Sequence, residues 1–339
     1  MNSFFLKGDL KYSEILAQSF SRKFPKSPAG WNILGCVYAQ TKRFDLALSA
    51  FNKIIKMYPN DPIAHNNAGN VFISLGRLDE GILCFKKSIK IKPDFFDAYN
   101  NLANAVEKRG EFALAEELFS KAVCIKPDFS ESHYNLGNLY HKLGKFEKAI
   151  NCYKATLKYD PLHSMALNNM GLVYNDLGMH AEAKRCYENS IRANPLIVEN
   201  KCNLLYLKSV LQDFSNIEYL NDASLLGKEI SSSSQMQYSH NEPNLKEDQI
   251  RIGFVSGDLK SHPVGYFIES LMHGAREMGS NTQYIAFSTS SFEDETSARL
   301  KKYLNEWIPI DRLSDAEAAR LIYQTRINVL FDLSGYTAN

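Results

Sequence analysis

Apolar and small residues return along this chain with a period of 34, and prolines mark it most plainly, standing at Pro25, Pro59, Pro93, Pro127, Pro161 and Pro195. Within each period the spacing of apolar positions is helical. The first full period carries Trp31, Leu34, Gly35, Tyr38, Ala47, Phe51 and Pro59, and the fourth carries Leu136, Gly137, Tyr140, Ala149, Tyr153 and Pro161. This pattern predicts two amphipathic helices per period. The proline ends the second helix, because it has no N–H to donate and disfavours helix at the residue before it. One helical hairpin cannot bury its own apolar face, so successive hairpins must stack.

A 34-residue helix–turn–helix period with these residue types is that of the tetratricopeptide repeat (TPR). The reading places a degenerate or partial repeat at 1–27, with Asp9–Lys26 as its second helix, five full repeats over 28–197 and a closing helix over 198–214. The expected form is a right-handed α–α superhelix with a concave groove. A second periodic column consists of Asn67, Asn101, Asn135, Asn169 and Asn203 on the first helices, with Asn70, Asn104 and Asn138 three residues on, along the same helical face. Asparagine is a middling helix former, so propensity does not account for the column. A row of side-chain amides offers donors and acceptors together. It can grip the backbone of an extended acceptor peptide, or it can bridge neighbouring helices within the solenoid.

The period breaks after Phe214. Residues 215–248 read as a linker, with room for one helix near Ile217–Ile230 and a polar, turn-rich loop at Ser231–Asn244. A new pattern starts at Gln249. Strands are predicted at Ile250–Val255, Gln283–Phe287, Trp307–Ile310 and Ile327–Asp332, alternating with helices at His262–Met278, Phe292–Leu304 and after Ser314, where Glu317 completes a capping box. Alternating strands and helices imply a parallel sheet covered by helices, so 249–339 reads as the N-terminal part of an α/β domain. Ligands of such sheets bind beyond the carboxyl ends of the strands. There the chain keeps Asp258, Lys260 and His262 after the first strand, and Asp332, Ser334, Gly335, Tyr336 and Thr337 after the fourth.

Composition narrows the function without setting it. The formal net charge is +1, with 45% hydrophobic and 23% charged residues. Neither half carries the basic excess of a nucleic-acid binder. No stretch has the apolar length of a signal peptide or membrane span. The six cysteines form no Cys-x-x-Cys pair, so a disulfide framework or zinc site is not expected. Cys84, Cys152 and Cys186 share one repeat register and read as small packing residues, consistent with a reducing cytoplasm.

Gly253–Phe267 (GFVSGDLKSHPVGYF) resembles the opening of the catalytic region of protein O-linked N-acetylglucosamine transferases, especially bacterial ones, and Ile327–Asn339 (INVLFDLSGYTAN) is similar to a strand and loop later in the same lobe. A TPR array upstream is that family's domain order. The resemblance implies a glycosyltransferase B-type, Rossmann-like domain. It implies inverting transfer of N-acetylglucosamine from UDP-GlcNAc to Ser or Thr of acceptor proteins held in the groove, with no metal or other cofactor. The SPINDLY-like branch shares the architecture and uses GDP-fucose, which leaves the donor sugar open. By position, His262 matches the motif histidine near the donor sugar and diphosphate, and Asp332, Ser334, Gly335 and Thr337 fall in the donor-sugar loop. Many members have Asn where Asp332 stands. Against these roles, His262 can be a helix-capping histidine, Asp332 a turn-capping acid and Asp258 a turn residue. The lobe that would hold uridine lies beyond the sequence, so the chain reads as a fragment of a longer product, inactive alone, and the alternative is a non-catalytic interaction scaffold.

Overall fold

The computed structural model describes residues 10–211, 216–233, 250–277 and 282–333. The chain forms two compact units, Met1–Asp213 and Phe214–Asn339.

In the first unit, α1 (Leu10–Lys23) precedes five helical hairpins and a last helix. The hairpins are α2/α3 (Pro28–Gln40, Phe44–Met57), α4/α5 (Pro62–Ser74, Leu78–Ile91), α6/α7 (Phe96–Lys108, Phe112–Ile125), α8/α9 (Ser130–Lys142, Phe146–Tyr159) and α10/α11 (Ser164–Asp176, His180–Ala193), and α12 (Val198–Leu211) follows. Each hairpin is welded by one ring. Phe51, Phe85, Phe119, Tyr153 and Tyr187 are all at most 2% exposed, and burying such a side chain is worth about 1.5–3 kcal/mol. In four of the five hairpins the ring sits where the first helix offers only a hydrogen; in the third, Ala103 stands at that position. A Cβ at Gly35, Gly69, Gly137 or Gly171 would meet it at 2.5–2.7 Å. Of the periodic cysteines, Cys186 belongs to the core and Cys152 and Cys84 pack against it. Cys186 is buried and Cys152 half-buried, and burial pushes both thiols up to about 11.

The turn inside each hairpin needs a residue with positive φ. Repeats two to five supply Gly76, Gly110, Gly144 and Gly178, with φ of 67° to 86°, while the first repeat forces Lys42 to φ 57°. After each of these residues the chain folds back by a bond such as Arg43 N–H to Tyr38 O (2.8 Å) or Lys145 N–H to Tyr140 O (2.8 Å), the helix-terminating bond of a left-handed C-cap. At three of the junctions the carbonyl of the punctuating proline is capped from the next helix. Trp31 Nε1 donates to Pro25 O (3.0 Å), and His65 and His133 place Nε2 at 2.9 Å from the Pro59 and Pro127 oxygens. A carbonyl only accepts, so both histidines carry their proton on Nε2.

In the second unit, α13 (Asn216–Ser233) is followed by a four-stranded, wholly parallel sheet of β1 (Ile250–Ser256), β2 (Thr282–Ser288), β3 (Glu306–Pro309) and β4 (Val329–Asp332), in the order β3-β2-β1-β4. The connecting helices are α14 (Pro263–Glu277), α15 (Glu295–Leu300) and α16 (Asp315–Gln324). Alternate strand residues point to opposite faces. Phe254 and Ala286 pack with Ile268, Met272 and Leu300 of α14 and α15, whereas Ile285 and Phe287 pack with Leu321 and Ile322 of α16. The β1–β2 part of the sheet is therefore covered on both faces, whereas Val329, Leu330 and Phe331 of β4 are exposed.

Several elements differ from the sequence reading: the helix expected at Asp9–Lys26 ends at Lys23, and β3 runs over Glu306–Pro309 where Trp307–Ile310 was expected. The helix expected at Phe292–Leu304 is only six residues long, because the Asp294 side chain caps Thr296 and Ser297 and fixes its start. The helix expected at Ile217–Ile230 runs from Asn216 to Ser233, so the first residues of the expected Ser231–Asn244 loop are helical. The fourth strand begins two residues late, after Arg326 turns the chain with φ 53°.

Candidate functional site: amide rungs and a strand-end loop

The periodic asparagines join adjacent repeats. Asn67 Nδ2 donates to Asn32 Oδ1 (3.0 Å), Asn101 to Asn66 (3.0 Å), Asn135 to Asn100 (3.2 Å) and Asn203 to Asn168 (3.0 Å). Each rung spans 35 residues, one repeat plus one position. The partner row of Asn32, Asn66, Asn100 and Asn168 escaped the sequence reading, although the Asn-Asn pairs at 66–67, 100–101 and 168–169 were its visible trace. At the fourth repeat Tyr134 stands in that row, and the rung shifts. Asn169 donates instead to Asn138 Oδ1 (2.9 Å) and Tyr134 Oη (3.3 Å), while Tyr153 also donates to Asn138 (2.8 Å). A rung occupies one of the four hydrogen-bonding positions of an amide, so the row retains capacity for a ligand. Among the described residues no hydrogen bond ties the side chains of Asn70 or Asn104, and both are at least partly exposed.

The second cluster lies at the carboxyl ends of β1 and β4. β1, β2 and β3 lie successively to one side and β4 on the other, so the order reverses between β1 and β4. Such a switch point opens a crevice at the strand ends. Val255 pairs in register with Asp332, and Leu333 N–H donates to Val255 O at 3.0 Å. The loop carrying Asp258 and His262 and the end of β4 carrying Asp332 thus leave the sheet at the same end. Ser334, Gly335 and Thr337 lie outside the described residues.

That loop is fixed from several sides. Ser256 Oγ accepts from Asp258 N–H (3.0 Å). Ser297 Oγ donates to Leu259 O (2.8 Å), and Asp294 Oδ2 accepts from Ser261 N–H (2.7 Å) while Oδ1 accepts from Thr296 and Ser297 N–H. The Ser261 amide, with the two cap amides, holds the Asp294 carboxyl well below the usual carboxylate range. Gly265 completes the fit, because a Cβ there would land on the Lys260 carbonyl oxygen. His262 follows, half-exposed, with Nδ1 3.3 Å from Val264 N and 3.9 Å from Asp258 Oδ2. Lys260 Nζ lies 3.9 Å from the other oxygen of Asp258. The sequence did not single out Asp294, and only its place before a helical Thr-Ser could have marked it as a cap. Among the described residues no group of three His, Cys, Asp or Glu could hold a metal ion, and no helix is long and apolar enough to cross a membrane.

Residues 28–61, 69–110, 96–126, 130–162 and 166–195 match models of the tetratricopeptide repeat. The chain is 30% identical over 105 residues to a protein of Oryza sativa subsp. japonica described as a probable UDP-N-acetylglucosamine–peptide N-acetylglucosaminyltransferase, SPINDLY; the match takes in 30% of this chain and 11% of that protein. It is 29% identical over 92 residues to the similarly described SEC of Arabidopsis thaliana, covering 26% of this chain and 9% of that one. The matched region is thus about a tenth of the length of these relatives. Among solved structures, the Cut9–Hcn1 hetero-tetramer of the APC/C aligns with a TM-score of 0.57 at 16% identity, covering 69% of this chain and 46% of that one, a likeness of fold alone. For most of its length this chain is a TPR superhelix, a protein-interaction fold, followed by a small four-stranded parallel sheet and distantly related to plant proteins described as glycosyltransferases.

Proposed function

We propose that the chain is the acceptor-binding and leading catalytic portion of a protein O-GlcNAc transferase. In this reading the solenoid groove holds an extended acceptor polypeptide through its amide row. The strand-end crevice between β1 and β4 faces the donor sugar nucleotide, with His262 beside the sugar and diphosphate and the loop after Asp332 lining the sugar. The observation that carries the reading is the pairing of Val255 with Asp332 at a switch point of the sheet. It brings the loop after β1 and the end of β4 together at the end of the sheet where α/β folds bind ligands. The order β3-β2-β1-β4 agrees with the first four strands of a doubly wound, Rossmann-like domain, and the described activity of the rice and Arabidopsis relatives points the same way.

The test is transfer by the natural gene product carrying this chain, scored by intact mass of an acceptor protein supplied with UDP-GlcNAc or, separately, GDP-fucose. A mass gain of one N-acetylhexosamine, lowered at least about 100-fold by His262→Ala, supports the reading. A deoxyhexose gain instead assigns the donor to the fucosyl class. Capture of acceptor protein with neither gain identifies a non-catalytic interaction scaffold.

A further inference from the structure

The rungs leave their amides in unequal states. Asn101 and Asn135 each donate one side-chain bond, to Asn66 and Asn100, and among the described residues accept none. An amide has two N–H donors and two oxygen lone pairs. Each of the two therefore keeps one N–H and its whole oxygen uncommitted, on a side chain that is partly exposed. A peptide unit of an extended chain presents the matching pair, one C=O and one N–H. Asn67 is less open, because beside its bond to Asn32 it lies 4.0 Å from Cys36 Sγ.

At the next junction Tyr134 stands in place of the partner asparagine, and the amides close on one another. Asn169 Nδ2 donates to Asn138 Oδ1 (2.9 Å) and to Tyr134 Oη (3.3 Å), which engages both of its N–H donors, and Asn169 Oδ1 accepts from Asn168 Nδ2 (3.4 Å). Asn138 Oδ1 accepts from Asn169 and from Tyr153, which takes both of its lone pairs. Asn169 thus has no donor to offer a guest, and Asn138 no acceptor. The Tyr134 ring is held in place by His163, at 4.7 Å between ring centres, and by Tyr153, at 6.2 Å.

We infer that Tyr134 is a stop in the amide row: the groove grips an extended polypeptide by its main chain at Asn101 and Asn135, and the grip is interrupted at Asn169. The bound stretch is centred on the third and fourth repeats, with Asn70 and Asn104 alongside. It is selected for an extended backbone with free N–H groups and not for particular side chains. The inference rests on the proposed acceptor groove for its partner and defines which part of that groove is used.

The test is fluorescence polarisation of the full chain with a labelled Ser/Thr/Val peptide of about twelve residues, long enough when extended to cross several helices. Asn135→Ala and Asn169→Ala each remove one amide of a rung, so any loss of solenoid cohesion is common to both. Asn135→Ala should weaken binding by about fivefold or more, for a donor and an acceptor lost, while Asn169→Ala should stay within about twofold. Equal losses overturn the inference. Tyr134→Asn restores the regular rung partner and should tighten binding by about fivefold; Tyr134→Phe keeps the ring, removes only the hydroxyl and should tighten it less. Tightening by either supports the stop, and unchanged or lowered affinity in both overturns it. The same peptide N-methylated along its backbone should bind at least about tenfold more weakly; equal binding would mean recognition through side chains and would overturn the main-chain grip. Absence of capture by the parent and by both Tyr134 variants also overturns the inference, whereas the transferase reading is decided separately, by sugar transfer from the natural gene product.

Discussion

Asn101 donates its side-chain amide to Asn66 of the preceding repeat at 3.0 Å, and Asn66 is only 5% exposed. Removing the acceptor should therefore cost more than removing an exposed asparagine. Asn66→Ala leaves the Asn101 amide without its partner and should destabilise the solenoid by about 1–2 kcal/mol. In a double-mutant cycle with Asn101→Ala the two losses should be well short of additive, as read from urea unfolding.

The groove reading separates two kinds of asparagine. Asn70 and Asn104 hold no side-chain bond among the described residues, so Asn70→Ala with Asn104→Ala should leave unfolding within about 0.5 kcal/mol. Affinity for an acceptor peptide should fall by about tenfold, for two lost hydrogen bonds. Urea unfolding checks the first and calorimetric titration the second; unchanged affinity would show that Asn70 and Asn104 do not hold the peptide.

Lys42 is the non-glycine in a row of left-handed turn residues, with φ 57°. Lys42→Gly should stabilise the protein by about 0.5–1 kcal/mol, because relief of the Cβ clash outweighs the added freedom of the unfolded chain. A rise in the melting temperature is the expected sign.

His65 is 3% exposed and burial lowers its pKa below the ordinary value. Its neutral form is the one the fold accommodates, so its contribution is complete above the unfolded pKa of about 6.5 and is lost as pH falls toward the lower folded value. Stability measured at pH 7.5 and 5.5 should differ, and His65→Trp should shrink that difference. Trp31 shows that an indole N–H makes the same bond to the proline carbonyl one repeat earlier.

Asp294 should show the same direction at lower pH. Its carboxylate is favoured in the fold, so its support is complete above about pH 3.9, the unfolded value, and fades as the acid is titrated below it. Asp294→Asn should lower the melting temperature at neutral pH and flatten that acid dependence. An unaltered melting curve would show that the Ser261 amide and the start of α15 are held by other groups.

The hairpin boundaries were legible because two residue types leave periodic marks. Prolines end helices by covalent geometry, and the column of Gly35, Gly69, Gly137 and Gly171 records the space taken by the ring opposite. The parallel sheet was legible from alternation, and Ser314 with Glu317 from capping chemistry, with both bonds present in the fold. The rungs were half legible. One asparagine row was evident, but its partner row belongs to the previous repeat, and 35-residue contacts become visible only once the stacking offset is known. The shortened α15 was not legible, because the apolar positions after Leu300 extend the helical pattern while Asn305 is drawn to Tyr284 of β2. The role of Asp294 depends on a loop 33 residues away, which no local pattern encodes.

The 35-residue rungs tie each hairpin only to its neighbour, so no bond of this class spans the array from end to end. Pulled along its length, such a ladder would stretch as a spring and come apart one hairpin at a time, the outermost first. A bound polypeptide bridging several hairpins would stiffen it, so its resistance to force would report how many repeats the guest occupies.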